Sequence, residues 1–293
     1  MNIIIIYVAL ILSGLCMGSF AGASVWRLRA RQLASDKRDG LEVDIHEYKK
    51  LNKLNKTSIT SDHSRCLNCS YFLKWYDLIP LFSWLSLGGK CRKCRKPIGI
   101  MEPLIELAVV SFFVLSYIFW PHALTSPLAI IQFILWLAAG VGLAIMFVYD
   151  AKWFLLPDKV NFTVIGFGLL YTLIVIIQSH DKMTTLIDII GSVFILCGIY
   201  LILYVISKGR WIGFGDVKLG LGLALLLVDW RLAFIALFSA NLIGCIIVLP
   251  AMISGKLKRD SHVPFGPLLI SGFVLAGIAG SYIVSMYMSF LLF

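Results

Sequence analysis

The repeated long apolar stretches of this chain narrow its fold further than any other feature. A helix needs about 20 mostly apolar residues to cross about 30 Å of hydrocarbon. On that criterion, about eight candidate spans fall at roughly 2–26, 103–120, 127–149, 160–178, 186–206, 217–228, 232–253 and 267–292. The sixth is short. A partial span is tolerated in a bilayer only where protein or water satisfies its backbone. Charged residues make up 14% of the chain, against about 25% in soluble domains, and 59% are hydrophobic. No Lys or Arg precedes the first apolar run, so 2–26 reads as a retained helix and not as a cleaved secretory signal.

The net charge of +10 raises the question of nucleic acid. Its distribution gives another answer. With alternating spans, the loops 27–102, 150–159, 207–216 and 254–266, with Lys218, hold all of the 26 Lys and Arg residues except Lys182 and Arg231. Basic loops stay cytoplasmic, which predicts both termini outside and these loops inside. Juxtamembrane positive charge is what such a topology carries, so the reading is a lipid bilayer as partner and no nucleic acid.

Four of the seven cysteines lie in the long basic loop, as Cys66-Leu67-Asn68-Cys69 and Cys91-Arg92-Lys93-Cys94. Two CxxC pairs suit four thiolates around a tetrahedral zinc ion, and a reducing cytoplasm disfavours disulfides. Four thiolates leave no open position, so Zn2+ here is expected to be structural. Cys16, Cys197 and Cys245 stand singly in apolar runs and read as packing residues. The polar segment Asp36 to Asp62 is expected to be a mobile surface stretch. The fold class is therefore all-α: a polytopic membrane protein with a small zinc-binding cytoplasmic loop. Its organisation reads as a first transmembrane helix (1–26), the loop (27–102) and a transmembrane domain (103–293).

Asp150 directly follows the third span, and Asp216 opens the sixth within Gly213-Phe214-Gly215-Asp216-Val217-Lys218. Ionisable residues at membrane depth are costly unless paired or hydrated, so two acids at one face form a functional-site hypothesis. Two adjacent carboxylates sharing one proton can activate water against a carbonyl. Topology alone leaves this open against a second reading, in which each is an interfacial charge or helix cap. Gly213 and Gly215 allow backbone and substrate to approach the acid, and Lys218 either pairs with Asp216 or snorkels to the interface. Asp158 reads as the cap of the fourth helix. Gly14, Gly18 and Gly22 form a small-residue stripe of the kind that packs helices, and Gly220 and Gly222 have the same reading.

Taken in order, these residues resemble the bacterial prepilin peptidase family, the GxGD aspartic peptidases. Gly18-Ser19-Phe20 with Arg27-Leu28 is similar to its N-terminal signature. Trp75-Tyr76-Asp77-Leu78-Ile79-Pro80, Ser83-Trp84-Leu85 and Gly89-Lys90-Cys91 match the segment between the cysteine pairs. Pro157-Asp158, the run Gly213 to Leu219, and Pro264-Phe265-Gly266-Pro267 complete it. The chain departs from the pattern at Gly22, Arg29 and Leu67. The resemblance implies that Asp150 and Asp216 are catalytic. It also implies cleavage of type IV prepilins or pseudopilins after a glycine at the cytoplasmic boundary of the inner membrane. A second implied activity is N-methylation of the new terminus with S-adenosylmethionine through the first loop. Gly213, Gly215, Lys218, Glu102 and Glu106 are then candidates for positioning substrate; the two glutamates share a helix face and suit either a substrate amine or the helix N-terminus. Two rivals need no GxGD context: an ion- or proton-coupled transporter that uses the aspartates, and a non-enzymatic assembly factor that docks through the zinc loop.

Overall fold

A computed structural model describes residues 3–54, 64–255 and 263–291. Its helices are α1 (Ile3–Arg38), α2 (Ile45–Leu51), α3 (Phe82–Ser86), α4 (Met101–Ile118), α5 (Pro127–Trp153) and α6 (Asp158–Gln178), followed by α7 (Lys182–Val193), α8 (Ile199–Ser207), α9 (Phe214–Leu227), α10 (Trp230–Ile253) and α11 (Phe265–Leu291). A π turn, Phe194–Gly198, joins α7 to α8 without a break. Among the described residues the only β pairing is two isolated bridges, so the fold is all-helical. Contacts divide the chain into two compact units, Met1–Val114 and Leu115–Phe293.

In the first unit, α1 continues past the expected end near residue 26 to Arg38. Nothing between Arg27 and Arg38 breaks a helix, and Lys37 and Arg38 complement its negative C-terminal end. It stops at Gly40, whose φ of 76° suits a residue without Cβ. There Leu41 N–H donates to the Asp36 carbonyl (2.9 Å) and Gly40 N–H to that of Lys37 (3.4 Å), closing a Schellman turn. The expectation of a mobile stretch from Asp36 onward is corrected here. Asp44 caps α2 by accepting the His46 and Glu47 N–H groups at 2.8 and 3.1 Å. Leu51 then buries against Ala30 and Leu33, with Trp26, Tyr48 and Leu67 packed around them. The Arg29 guanidinium pairs with Glu47 at 2.7 Å. Arg29 and Leu67, two of the departures from the family pattern, thus hold the loop onto α1. Residues 55–63 of the segment lie outside the described residues.

Lipid tails give helices no hydrophobic reason to associate, so close backbone approach through small residues does that work. A Cβ at Gly18 would stand 2.5 Å from the Glu106 Cα, and one at Gly14 would stand 3.0 Å from that of Val110. The stripe on α1 is therefore its contact with α4. Cys16 and Cys245 are exposed on their helices, which corrects their reading as packing residues. A small apolar side chain is at no disadvantage facing lipid.

Among the described residues, seven helices are long and apolar enough to cross a membrane: α1, α4, α5, α6, the continuous rod Lys182–Ser207, α10 and α11. The expected sixth span is α9, whose 14 residues reach only about 21 Å. It is sheathed by protein, with Val217, Leu219, Gly220 and everything from Gly222 to Leu227 buried. Hydroxyls reach into its carbonyl end: Thr172 donates to the Leu225 carbonyl at 2.6 Å, and Ser192 joins the Val228 N–H on that of Ala224, both at 3.0 Å. A helix can end at membrane depth only when its last carbonyls find such partners.

Gly220 sets how closely α9 approaches the π turn, because any Cβ there would overlap the Leu196 carbonyl oxygen. Gly220→Val should destabilise the fold by about 1–3 kcal/mol or more through overpacking. A drop in the midpoint of thermal unfolding in detergent, with Gly166→Val as a control facing open space, measures this.

Candidate functional site

Asp150 occupies the last turn of α5, which ends at Trp153 and is closed by Phe154 in the left-handed conformation. The C-terminal end of a helix is the wrong place for an acid, since the macrodipole is negative there. Burial makes this worse, because only 6% of Asp150 is exposed. The compensation comes from another helix. Gly266, in the first turn of α11, donates its backbone N–H to Asp150 Oδ2 at 2.9 Å. First-turn N–H groups have no partner within their own helix, and here one is spent on the carboxylate. Glycine is required at 266: a Cβ there would lie 2.8 Å from the same oxygen.

Asp216 sits in the first turn of α9, the favourable end for an acid. Its Oδ2 accepts the Gly213 N–H at 3.2 Å, and its own N–H donates to the Gly213 carbonyl at 3.1 Å. The GFGD run is thus a self-capping turn. Each of the two acids holds a backbone N–H from the start of a helix, α11 for Asp150 and α9 for Asp216. They are near enough that the charge of Asp150 acts on Asp216.

The remaining candidates are placed as follows. Gly215 abuts Leu156, where a Cβ would come within 3.2 Å of the leucine Cβ, and its carbonyl accepts the Asn161 amide at 3.0 Å. Lys218 pairs with Asp158 at 2.6 Å and lies over the Phe162 and Phe214 rings. Asp158 is the first residue of α6 and this lysine's partner; Pro157 holds the cap position, so the capping role expected of Asp158 is corrected. Glu106 and Glu102 belong to the first unit. Glu106 is buried and accepts the Leu81 N–H at 2.7 Å, across a tight turn in which Leu81 has φ 58° and Phe82 N–H reaches back to the Pro80 carbonyl at 2.6 Å. Glu102 accepts the Trp26 indole N–H at 3.1 Å through Oε1, while its Oε2 is buried without a hydrogen-bond partner.

Sequence reasoning assigned no role to Gly266 or Asn161. The signal for Gly266 was a Phe-Gly pair between two prolines, a helix-start pattern facing a membrane acid. For Asn161 it was an amide within an apolar span, fully buried here.

The four cysteines of the loop converge, with all sulfurs within 4.8 Å of one another. Both pairs use one local geometry. Ser70 and Arg95, each four residues after its first cysteine, adopt positive φ and return an N–H to the Cys66 and Cys91 carbonyls at 2.9 and 3.0 Å. Cys66 and Cys91 in turn donate N–H to the Tyr71 and Lys96 carbonyls, both at 2.9 Å. Cys66 to Cys94 and Cys69 to Cys91 are 3.9 Å apart. A tetrahedron of thiolates at about 2.3 Å from zinc has edges of about 3.8 Å, whereas a disulfide needs about 2.05 Å. Burial pushes the Cys66 thiol up to about 12, whereas Cys91, despite its burial, falls to about 7 because the Cys94 and Lys93 N–H groups point at its sulfur. Four such sulfurs form a site that can hold a metal ion, whose charge lets them ionise together.

Residues 12–120 match the model of the bacterial peptidase A24 N-terminal domain, and residues 135–249 match that of the type IV leader peptidase family. The chain belongs to the type IV leader peptidase family. As a member it is an enzyme, a membrane peptidase. Among its relatives, the prepilin leader peptidase/N-methyltransferase of Pseudomonas aeruginosa is 27% identical over 96% of this chain and 92% of its own length. The protein of that name from Stutzerimonas stutzeri is 28% identical over 94% and 92%. The type 4 prepilin-like proteins leader peptide-processing enzyme of Escherichia coli is 28% identical over 94% and 93%. No solved structure matches the chain.

Gly266→Ala should displace the Asp150 carboxylate and lower peptidase activity by about 10²-fold, as misplacement by about 1 Å does. Normal membrane insertion and an unfolding midpoint within a few degrees of wild type are expected alongside. The cysteine site predicts about one tightly held zinc per chain by elemental analysis, and its removal by a chelator should expose all four thiols to alkylation.

Proposed function

We propose that Asp150 and Asp216 are the catalytic pair of a membrane aspartic endopeptidase that removes the leader of type IV prepilins or pseudopilins, cutting after a glycine at the cytoplasmic boundary of the substrate helix. The observation that carries this reading is a pair of carboxylates, each held by one helix-start N–H, with Asp216 within reach of the charge of Asp150. A helix cap or an interfacial charge would explain Asp216 alone. Neither accounts for a buried acid at the unfavourable end of its own helix, as Asp150 is.

In this reading one carboxylate is ionised and takes a proton from a water as its oxygen adds to the scissile carbonyl carbon. The other is protonated and gives its proton to the carbonyl oxygen. Collapse of the resulting diol breaks the C–N bond, and a proton passes to the departing amine. Backbone donors fix both acids without a flexible side chain between them, so geometry is set before substrate arrives.

The relatives' names pair the peptidase with an N-methyltransferase, and we assign the same second activity to the loop 27–102 with the first turn of α4. S-adenosylmethionine, when bound, would supply the methyl group. The buried, unpartnered Oε2 of Glu102 suits the amine of a newly cut substrate. Zinc, held by Cys66, Cys69, Cys91 and Cys94, would be structural. The charge asymmetry supports an inner-membrane orientation with the N-terminus outside and the loop and aspartates on the cytoplasmic side.

Asp150→Asn and Asp216→Asn should each lower prepilin cleavage by about 10²–10⁴-fold or more while inserting normally. The assay mixes purified chain and a full-length prepilin, with and without S-adenosylmethionine, and weighs the products. Wild-type cleavage by either variant would overturn the assignment. Cleavage with no added methyl group when S-adenosylmethionine is present would overturn the second activity alone.

A further inference from the structure

One tyrosine next to the aspartates has no structural explanation. Tyr200, in the first turn of α8, is only 3% exposed, and its hydroxyl has no hydrogen-bond partner. Leaving a buried hydroxyl unpaired costs about 1–3 kcal/mol, so a phenylalanine would serve packing better. Its ring packs edge-on against Phe265, with centroids 5.3 Å apart, and Phe265 is the residue before the Gly266 that holds Asp150. Asp216 lies near enough for its charge to act on the phenol. Tyr200 thus lies near Asp216, with its ring against the residue that precedes the Asp150 donor.

The helix that carries it is irregular at this point. Ile199 N–H donates to the Phe194 carbonyl, five residues back, in the π turn that joins α7 to α8. Buried residues on this rod step from Ser192 to Leu196 to Tyr200, at four-residue intervals. In a regular α-helix each such step drifts by about 40°, and an underwound turn removes the drift. The π turn therefore keeps Tyr200 on the line that faces α9, where Gly220 meets the Leu196 carbonyl. Such turns are frequent at functional sites.

We propose that the Tyr200 hydroxyl is a catalytic hydrogen-bond donor, aimed at the carbonyl oxygen of the substrate's scissile peptide bond beside the aspartate pair. The inference rests on the peptidase reading above. No bond to tyrosine forms or breaks. The phenol keeps its proton and stabilises the charge that develops on the carbonyl oxygen as water adds, accepting nothing in return. A substrate carbonyl completes the hydroxyl that the free protein leaves unpaired.

Tyr200→Phe removes the oxygen and keeps the ring that packs on Phe265. With a full-length prepilin as probe and the whole chain in detergent, its kcat should fall by about 10²-fold, the usual effect of losing one such donor, with KM changed by less than about threefold. Its unfolding midpoint should equal or exceed that of the wild type, since an unpaired buried hydroxyl has gone. Wild-type kcat in this variant would overturn the inference and leave the peptidase reading intact. A variant that loses stability and activity together would also overturn it, by showing a packing role. If the wild-type chain itself does not cut the prepilin, the peptidase reading falls and the role of Tyr200 falls with it.

Discussion

A helix end at membrane depth must find partners for its free N–H and C=O groups, and the arrangement of the second unit follows from that requirement. The short helix α9 is the clearest case. It is too short to reach water at both ends, and Thr172 and Ser192 donate from neighbouring helices to the Leu225 and Ala224 carbonyls in its last turn. At its other end the free N–H of Gly213 is taken by Asp216. The free N–H of Gly266 at the start of α11 is taken by Asp150. The two acids are therefore part of how these helices terminate, and the same bonds that end the helices position the carboxylates.

This has a consequence for how such a site tolerates change. Asp150 is set against the dipole of its own helix and rescued by another, so its position depends on the packing of α5 against α11. Asp216 is set by its own turn and needs little beyond Asn161, which fixes the Gly215 carbonyl from α6. One acid is held by tertiary contact and the other by local sequence. Close approach through glycine makes both possible: Gly266 leaves room for a carboxylate, and Gly220 lets α9 reach the π turn below Tyr200.

In the first unit the loop is held by different means. It has too little apolar content for a core of its own, and it solves this by three attachments. Leu51 buries against the extension of α1, Arg29 pairs with Glu47, and the buried Glu106 carboxylate grips the Leu81 N–H in a strained turn. The two cysteine turns repeat one backbone geometry and bring four sulfurs to a metal-sized cluster. Asp77, buried and paired with Arg92 at 2.7 Å, ties the connecting segment to the second turn.

Much of this was legible in the sequence, for identifiable reasons. Long apolar runs dictate helices because a bilayer leaves the backbone no other way to satisfy itself, and two CxxC pairs predict a cluster because each is a local turn. The family resemblance, which the family comparisons support, rests on motifs of that local kind. The short sixth span reads like the others in sequence because apolar composition marks burial in lipid and burial in protein alike; only its neighbours decide which. The extension of α1 and the capped helix after it were hidden by polar composition, since Leu51 and Leu67 find their core only across the chain. By itself the sequence determined the long apolar helices, the cysteine turns and the place of Asp216 at a helix start, all of which depend on contacts within a few residues. Tertiary structure alone decided the Gly266 bond to Asp150, the Asn161 support and the packing of Tyr200 on Phe265. Those contacts join helices far apart in the chain, and no local pattern records which helix ends will meet.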